Sequence, residues 1–258
     1  MGARRIEKKP QKKPLRVQLN LRRPAWLTPR LVGGVLLVGL TGGLLGAGGW
    51  WVAQPTTLPI ERVQVEGEFR YLAREDVYSA LGDLASGGFF NVDVRAIKQA
   101  TESLPWVDSA SVRRVWPGTL TVAVVEQQPL ARWSDNQVVN ARGELFAPPL
   151  QGLPDSLPAF FGPEGTAQMV AERYQQLATQ LSRIGLGLTE LQLNSRRAWE
   201  LRLNNGLVLK LGRTVNTAQL ERFAVVYPTV LAEKVAQMES VDLRYTNGFA
   251  VRWKASAG

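Results

Sequence analysis

The sequence predicts an α+β protein: a single transmembrane helix, then a βααββ unit, then a mixed, mainly antiparallel β domain with two helices. Three observations predict it. Residues 31–52 contain no charged side chain. Residues 60–126 read as strand, helix, helix, strand, strand, and residues 127–254 alternate short β-rich runs with Asn, Asp and Gly turns and two helical stripes. Hydrophobic residues make up 45% and charged residues 21% of 258, which places the chain among folded proteins and outside the disordered regime.

As a helix, residues 31–52 would measure about 33 Å, against a hydrocarbon core of roughly 30 Å. Trp26 on one side and Trp50 with Trp51 on the other stand where interfacial aromatics lie. Eight glycines between Gly33 and Gly49 lower the helix propensity, but in lipid the backbone must bond to itself, and the environment imposes the helix. Gly39 with Gly43 and Gly42 with Gly46 have small-xxx-small spacing, a weak signal in so glycine-rich a window. The competing reading is a cleaved signal peptide. Its usual apolar core of roughly 7 to 15 residues is shorter than this run.

Residues 1–30 hold ten basic side chains against Glu7 alone, which accounts for the whole net charge of +9. The rest of the chain carries 21 basic and 21 acidic residues. The basic balance therefore argues for a cytoplasmic tail and a type II topology by the positive-inside rule, and against a nucleic-acid partner. The chain contains no Cys and no His, which excludes disulfides, thiolate and imidazole metal sites, and every triad with a His base. No cofactor is expected.

In residues 60–126 a strand (60–66) precedes a helix (74–84) with Val77, Leu81 and Leu84 in a stripe, and a second helix (94–103) stops before Pro105. Strands 109–116 and 119–126 are joined at Pro117 and Gly118, a turn dipeptide. Neither helix is long enough to be stable alone, so both must pack on one face of a small sheet. Strands at 130–133, 137–140 and 144–147 form a meander, followed by a Pro-rich crossing (148–163). A helix at 167–184 takes Thr166 as N-cap and Gly185 as stop. Strands at 188–194, 199–203 and 207–211 come next, then a helix at 217–233 with a break at Pro228. A hairpin of 240–245 and 249–253 across Thr246, Asn247 and Gly248 completes the domain. The organisation reads as a tail (1–30), a helix (31–52), a first domain (60–126), a second domain (127–254) and a C-terminal tail (255–258).

The strand order and the phrases Leu104-Pro-Trp-Val-Asp108 and Arg114-Val-Trp-Pro-Gly118 resemble a polypeptide-transport-associated, or POTRA, domain. Further on stand Pro129-Leu-Ala-Arg-Trp133, Leu209-Lys-Leu-Gly-Arg213, Arg222 and Phe223 with Tyr227 and Pro228, and Val241-Asp-Leu-Arg-Tyr245 running into Gly248 and Trp253. In this order the phrases resemble the FtsQ/DivIB family of bacterial cell-division proteins. The Gly-rich anchor departs from the Leu-rich one typical of that family.

The resemblance implies a non-enzymatic scaffold of the divisome, in the bacterial inner membrane at the septum, with its C-terminal part in the periplasm. It implies capture of FtsB, in complex with FtsL, by addition of a partner strand to the last strand of the sheet. FtsK, FtsW, FtsI and FtsN are further partners it implies, through the POTRA domain and anchor. Positions matching the family's contacts are Arg244, Tyr245, Asn247, Gly248 and Trp253, with a second cation at Arg196 or Arg197.

The residues support the same site independently. The last strand, Phe249 with Val251 and Trp253 on one face and Ala250 with Arg252 on the other, has little chain after it to cover its edge. An uncovered edge offers N–H and C=O groups for β-augmentation. On the residues alone, Tyr245 and Trp253 read rather as core side chains closing the hairpin, with the edge simply solvated; the resemblance reverses that preference. Either edge of the first sheet, 60–66 or 109–116, is a candidate second docking edge. Glu126 with Arg132 and Asp135 with Glu144 read as solvated charges, and Ser182, Ser195 and Lys210 sit in no catalytic motif. The alternative of an anchored periplasmic enzyme acting on cell-wall polymer requires a cleft with two carboxylates about 5 to 9.5 Å apart. An outer-membrane assembly factor would need barrel strands the sequence lacks.

Overall fold

A computed structural model describes residues 29–52, 54 and 57–254. Most of the basic tail, Trp26 and the C-terminal tail lie outside the described residues. Helix α1 (Pro29–Val52) and the part from residue 57 onward belong to separate compact units.

Helix α1 runs unbroken through all eight glycines, and the Thr41 hydroxyl donates to the Leu37 carbonyl at 2.8 Å. None of Gly33–Val52 is buried within the protein, and the segment is long and apolar enough to cross a membrane. It suggests a membrane anchor.

The first sheet holds β1 (Arg62–Glu66), β2 (Val107–Val115) and β3 (Thr119–Glu126) in the order β1-β3-β2, with β1 parallel and β2 antiparallel to the central strand. Both candidate edges of this sheet are therefore outer strands. Helices α2 (Arg74–Leu81) and α3 (Val94–Glu102) bury Val77, Leu81 and Ile97 in its core with Val65, Leu120 and Val122. The Asp93 carboxylate caps α3, accepting from the Arg95 and Ala96 N–H groups. The helix expected over 74–84 ends early. Gly82, at φ 41°, turns the chain into a 3₁₀ segment, Gly82–Ala85, and leaves Leu84 exposed.

Glu126 corrects the sequence reading. It is only 7% exposed, and its carboxylate accepts the backbone N–H groups of Arg70 (2.9 Å), Tyr71 (2.6 Å) and Leu72 (2.5 Å). A short loop after β1 thus has its donors satisfied by the last residue of β3, and this carboxylate is structural rather than solvated.

The second sheet has nine strands. They are β4 (Pro129–Trp133), β5 (Gln137–Asn140), β6 (Leu145–Phe146), β7 (Ala159–Phe161), β8 (Leu188–Leu193), β9 (Trp199–Leu203), β10 (Val208–Gly212), β11 (Met238–Asp242) and β12 (Ala250–Trp253). The order is β12-β11-β10-β9-β8-β7-β4-β5-β6, mostly antiparallel, with parallel pairs at β10–β11, β7–β8 and β4–β7. Strand β7 lies inside the Pro-rich crossing. Ala159 and Phe160 pair on both sides, Phe161 with β8 alone, and Phe160 is completely buried, so a segment that reads as a connection joins the two halves of the sheet.

Helices α4 (Ala167–Ser182) and α5 (Thr217–Val226) contribute Val170, Leu177, Leu181, Leu220 and Phe223 to one core with Leu191, Leu201, Leu209 and Val241. Gly185, at φ 76°, follows α4 as expected. Thr166 does not cap that helix with its side chain: the hydroxyl donates back to the Pro163 carbonyl at 2.6 Å. Asn216 caps α5, accepting from the Ala218 N–H. At Pro228, which has no N–H to give, the α-helix passes into a wider turn, Tyr227–Leu231, and then a 3₁₀ segment, Ala232–Gln237. Val138 and Leu153 pack into the core under the first sheet, and Arg142 bonds both Asp108 and Glu144, so the two sheets share one unit.

Candidate functional site at the terminal strand

β12 is an outer strand of the nine-stranded sheet. It pairs antiparallel with β11, through Asp242 with Ala250, Val241 with Val251 and Ser240 with Arg252. The Lys254 N–H continues the pairing onto the Gln237 carbonyl at 2.8 Å. Main-chain polar groups alternate sides along a strand, so Lys254, Arg252 and Ala250 face β11 while Val251 and Trp253 face outward. Among the described residues no strand pairs with that outer side.

The side chains divide in a useful way. Phe249 and Val251 turn inward and pack on the core, with the Phe249 ring edge-on to Phe223 at 6.4 Å. Trp253 lies on the same face but at the sheet margin, 49% exposed, and Tyr245 is 56% exposed. Neither aromatic closes the core. Ala250 and Arg252 occupy the exposed face, where Arg252 lies 3.9 Å from Glu239 on β11.

The expected three-residue turn is instead a connection over residues 243–249. Leu243 is buried and its N–H donates to the Lys210 carbonyl, which keeps it against β10 after β11 has ended. Arg244 then swings away to Asp242: its Nε lies 2.8 and 3.0 Å from the two carboxylate oxygens, and its Nη2 lies 2.5 Å from Oδ2. This contact holds the Asp242 carboxyl below its ordinary range and raises the Arg244 guanidinium. Gly212, at φ 78°, makes room for it, since a Cβ there would lie 3.0 Å from Arg244 Cγ. A cavity of about 310 Å³ opens beside the pair, lined by Gly212, Arg213, Thr214, Asn216, Gln219 and Arg244.

Sheet register carries Arg196 to the same end of the sheet. It occupies the β8–β9 turn, where Asn194 accepts from the Arg196 and Ala198 N–H groups and Arg197 adopts φ 62°. Arg244, Tyr245, Asn247 and Gly248 cluster at the start of β12, whereas Arg196 stands three to four strands away, roughly 15 to 19 Å at the usual strand spacing. Trp253 marks the opposite end of β12. A single short ligand cannot touch all of these positions; an extended chain with a following segment across the sheet end can. Asp242, Gly212 and Gln219, whose Nε2 reaches the Tyr245 carbonyl at 3.4 Å, were not singled out from sequence. Gly212 and Asp242 stand inside the phrases at 209–213 and 241–245 that carry the family resemblance, and the Asp-x-Arg spacing is the local signal for the ion pair.

The order of elements, an apolar N-terminal helix, a βααββ sandwich and a mixed sheet, defines the class: a POTRA protein with an apolar N-terminal helix. Residues 58–127 match the POTRA domain, FtsQ-type, and residues 131–244 match the family description Cell division protein FtsQ/DivIB, C-terminal. The second match ends just before β12. Three curated relatives carry the name Cell division protein FtsQ. That of Coxiella burnetii is 33% identical over 91% of this chain and 95% of its own length. The Shewanella oneidensis protein is 42% identical over 77% and 75%, and the Allochromatium vinosum protein 38% over 81% and 85%. The chain belongs to the FtsQ/DivIB family of cell division proteins.

Proposed function

We propose that this chain is a non-enzymatic scaffold of the divisome and captures FtsB, in complex with FtsL, by adding a strand of FtsB to the outer side of β12. It sits in the bacterial inner membrane at the septum in type II orientation, with the part after α1 in the periplasm. The POTRA domain and anchor recruit FtsK, FtsW, FtsI and FtsN. The observation that carries this reading is the outer side of β12, which pairs with no strand among the described residues and where Val251 and Trp253 hold N–H and C=O groups ready for a partner. Tyr245 and Trp253 supply exposed aromatic area of the kind that dominates binding hot spots. Arg196 has no side-chain partner among the described residues and can receive a carboxylate of the captured segment. Arg244, already on Asp242, can share its remaining donors.

One cavity, of about 230 Å³, brings a cell-wall enzyme into consideration, because two carboxylates, Asp108 and Glu126, line it. Glu126 is engaged by three backbone donors and Asp108 by Arg142 through both oxygens. Carboxylates so occupied support a structural role over general acid and base work.

The test is co-purification of FtsB and FtsL with the full chain and with a chain ending at Gly248. Removing β12 should abolish capture. Retained capture would move the site elsewhere.

A further inference from the structure

One end of the POTRA sheet carries an exposed aromatic tip. The β2–β3 turn, the loop over residues 87–90 and the segment entering β1 are tied together there. Glu61 N–H donates to the Gly118 carbonyl at 2.8 Å, Phe89 N–H to Leu58 at 2.7 Å, and Ile60 N–H to Gly87 at 3.0 Å. Phe89 is buried and sets the other rings, edge-on to Phe90 at 5.3 Å and to Trp116 at 5.7 Å. The two rings it supports are open, Trp116 at 64% and Phe90 at 52%, and Val115, the last residue of β2, is 40% exposed. The Trp116 indole N–H has no partner among the described residues. A large apolar surface with one unpaired donor is the chemistry of a membrane-interface residue.

Covalent connectivity names the occupant. The tip is bonded to residues 58–61, and Pro59 follows the last residue of α1, Val52, by seven positions. Seven residues reach at most about 25 Å when fully extended. We propose that Trp116, Phe90 and Val115 rest in the lipid headgroup layer of the membrane that α1 enters. This rests on the anchor reading of α1. Glu61, next to Gly118, makes the contact one of aromatic insertion rather than of attraction to anionic lipid.

Because the chain lacks cysteine, a reporter can be placed without removing the tip. Glu61→Cys in the full chain, labelled with an environment-sensitive fluorophore, is reconstituted into phosphatidylcholine–phosphatidylglycerol vesicles with and without nitroxide lipids labelled near the headgroup. Val225→Cys, on a residue of α5 that is 75% exposed, is the control. Quenching at position 61 should exceed that at position 225. It should fall at least about twofold when Trp116→Ser and Phe90→Ser are added, while Trp116→Phe, which keeps an apolar ring, retains most of it. Trp116→Ser alone, at a mostly exposed site, repeats the test if the double variant unfolds. Unchanged quenching in the serine variants overturns the lipid contact, as does shielding of position 61 that requires another protein. Vesicle flotation separates the two readings: a chain that fails to float overturns the anchor and the tip together, whereas one that floats without tip-dependent quenching overturns the tip alone.

Discussion

The nine-stranded sheet has two outer strands, and they are built in opposite ways. At one end β6 is only two residues long, runs into Pro148 and Pro149, and sets Phe146 edge-on against Trp106 of the neighbouring core at 5.5 Å. Arg142 beside it ties Glu144 to Asp108 on β2. A short strand, prolines and a covering aromatic are standard means of making an edge unusable. At the other end β12 is longer, its outward main-chain groups meet no partner strand among the described residues, and its flanking aromatics are half exposed. Closing one edge while leaving the other open teaches that openness is a property of β12 rather than a general looseness of the sheet.

The largest effect expected from breaking this contrast is at Val251. Val251→Pro removes an outward N–H while the residues facing β11, Ala250 and Arg252, keep theirs. FtsB capture should fall by about a hundredfold or more, as when a central ladder bond and the fit around it are both lost. Val251→Ala, which keeps the donor, should bind far better than the proline variant. Equal binding by the two would show that the main chain of β12 is not read.

A pair of aromatic truncations sharpens the same contrast. Trp253→Ala should weaken capture by about 30-fold, a hot-spot loss of about 2 kcal/mol. Because Trp253 is half exposed, thermal stability should change little. Phe146→Ala should do the reverse, lowering stability by about 2 kcal/mol through lost packing at the closed edge and leaving capture unchanged. Binding isotherms and denaturant unfolding of both variants measure the two columns, and a Trp253 variant that loses stability instead of binding would return that residue to the core.

Much of this architecture was legible in the residues, for physical reasons that also explain the exceptions. Long stripes such as Val170, Leu177 and Leu181 on α4 report burial directly, because one periodicity decides which face is covered. The alternation puts Phe249, Val251 and Trp253 on one face, and Phe249 and Val251 do pack on the core, but alternation does not say where the core ends, so it could not tell that Trp253 stays half exposed. Glu126 and β7 were hidden for another reason. Both depend on partners far along the chain, the loop at residues 70–72 and the strands β4 and β8, and neither carries a local pattern. Arg196 and Arg244 were legible as cations; their separation across the sheet end was not, because the parallel insertion of β11 beside β10 sets it.

The smallest effect is electrostatic and compares the ion pairs near the two edges. At the open edge Arg244 holds Asp242 below its ordinary value of 3.8; at the closed edge Arg142, and after it Asn140, hold Glu144 below 4.5. A depressed carboxylate contributes stability that is present above its unfolded value and lost as pH falls through the folded one. Both contributions should therefore survive at neutral pH and vanish in acid. Titration of the two carboxyl carbons by NMR should show Arg244→Gln moving the Asp242 midpoint up toward 3.8 without disturbing Glu144. Arg142→Gln should move Glu144 up and also loosen the contact to Asp108, so the onset of acid unfolding should rise more in the second variant than in the first. If Arg244→Gln shifted the acid unfolding as much as Arg142→Gln, the open edge would be braced as firmly as the closed one, and the contrast between them would reduce to strand length.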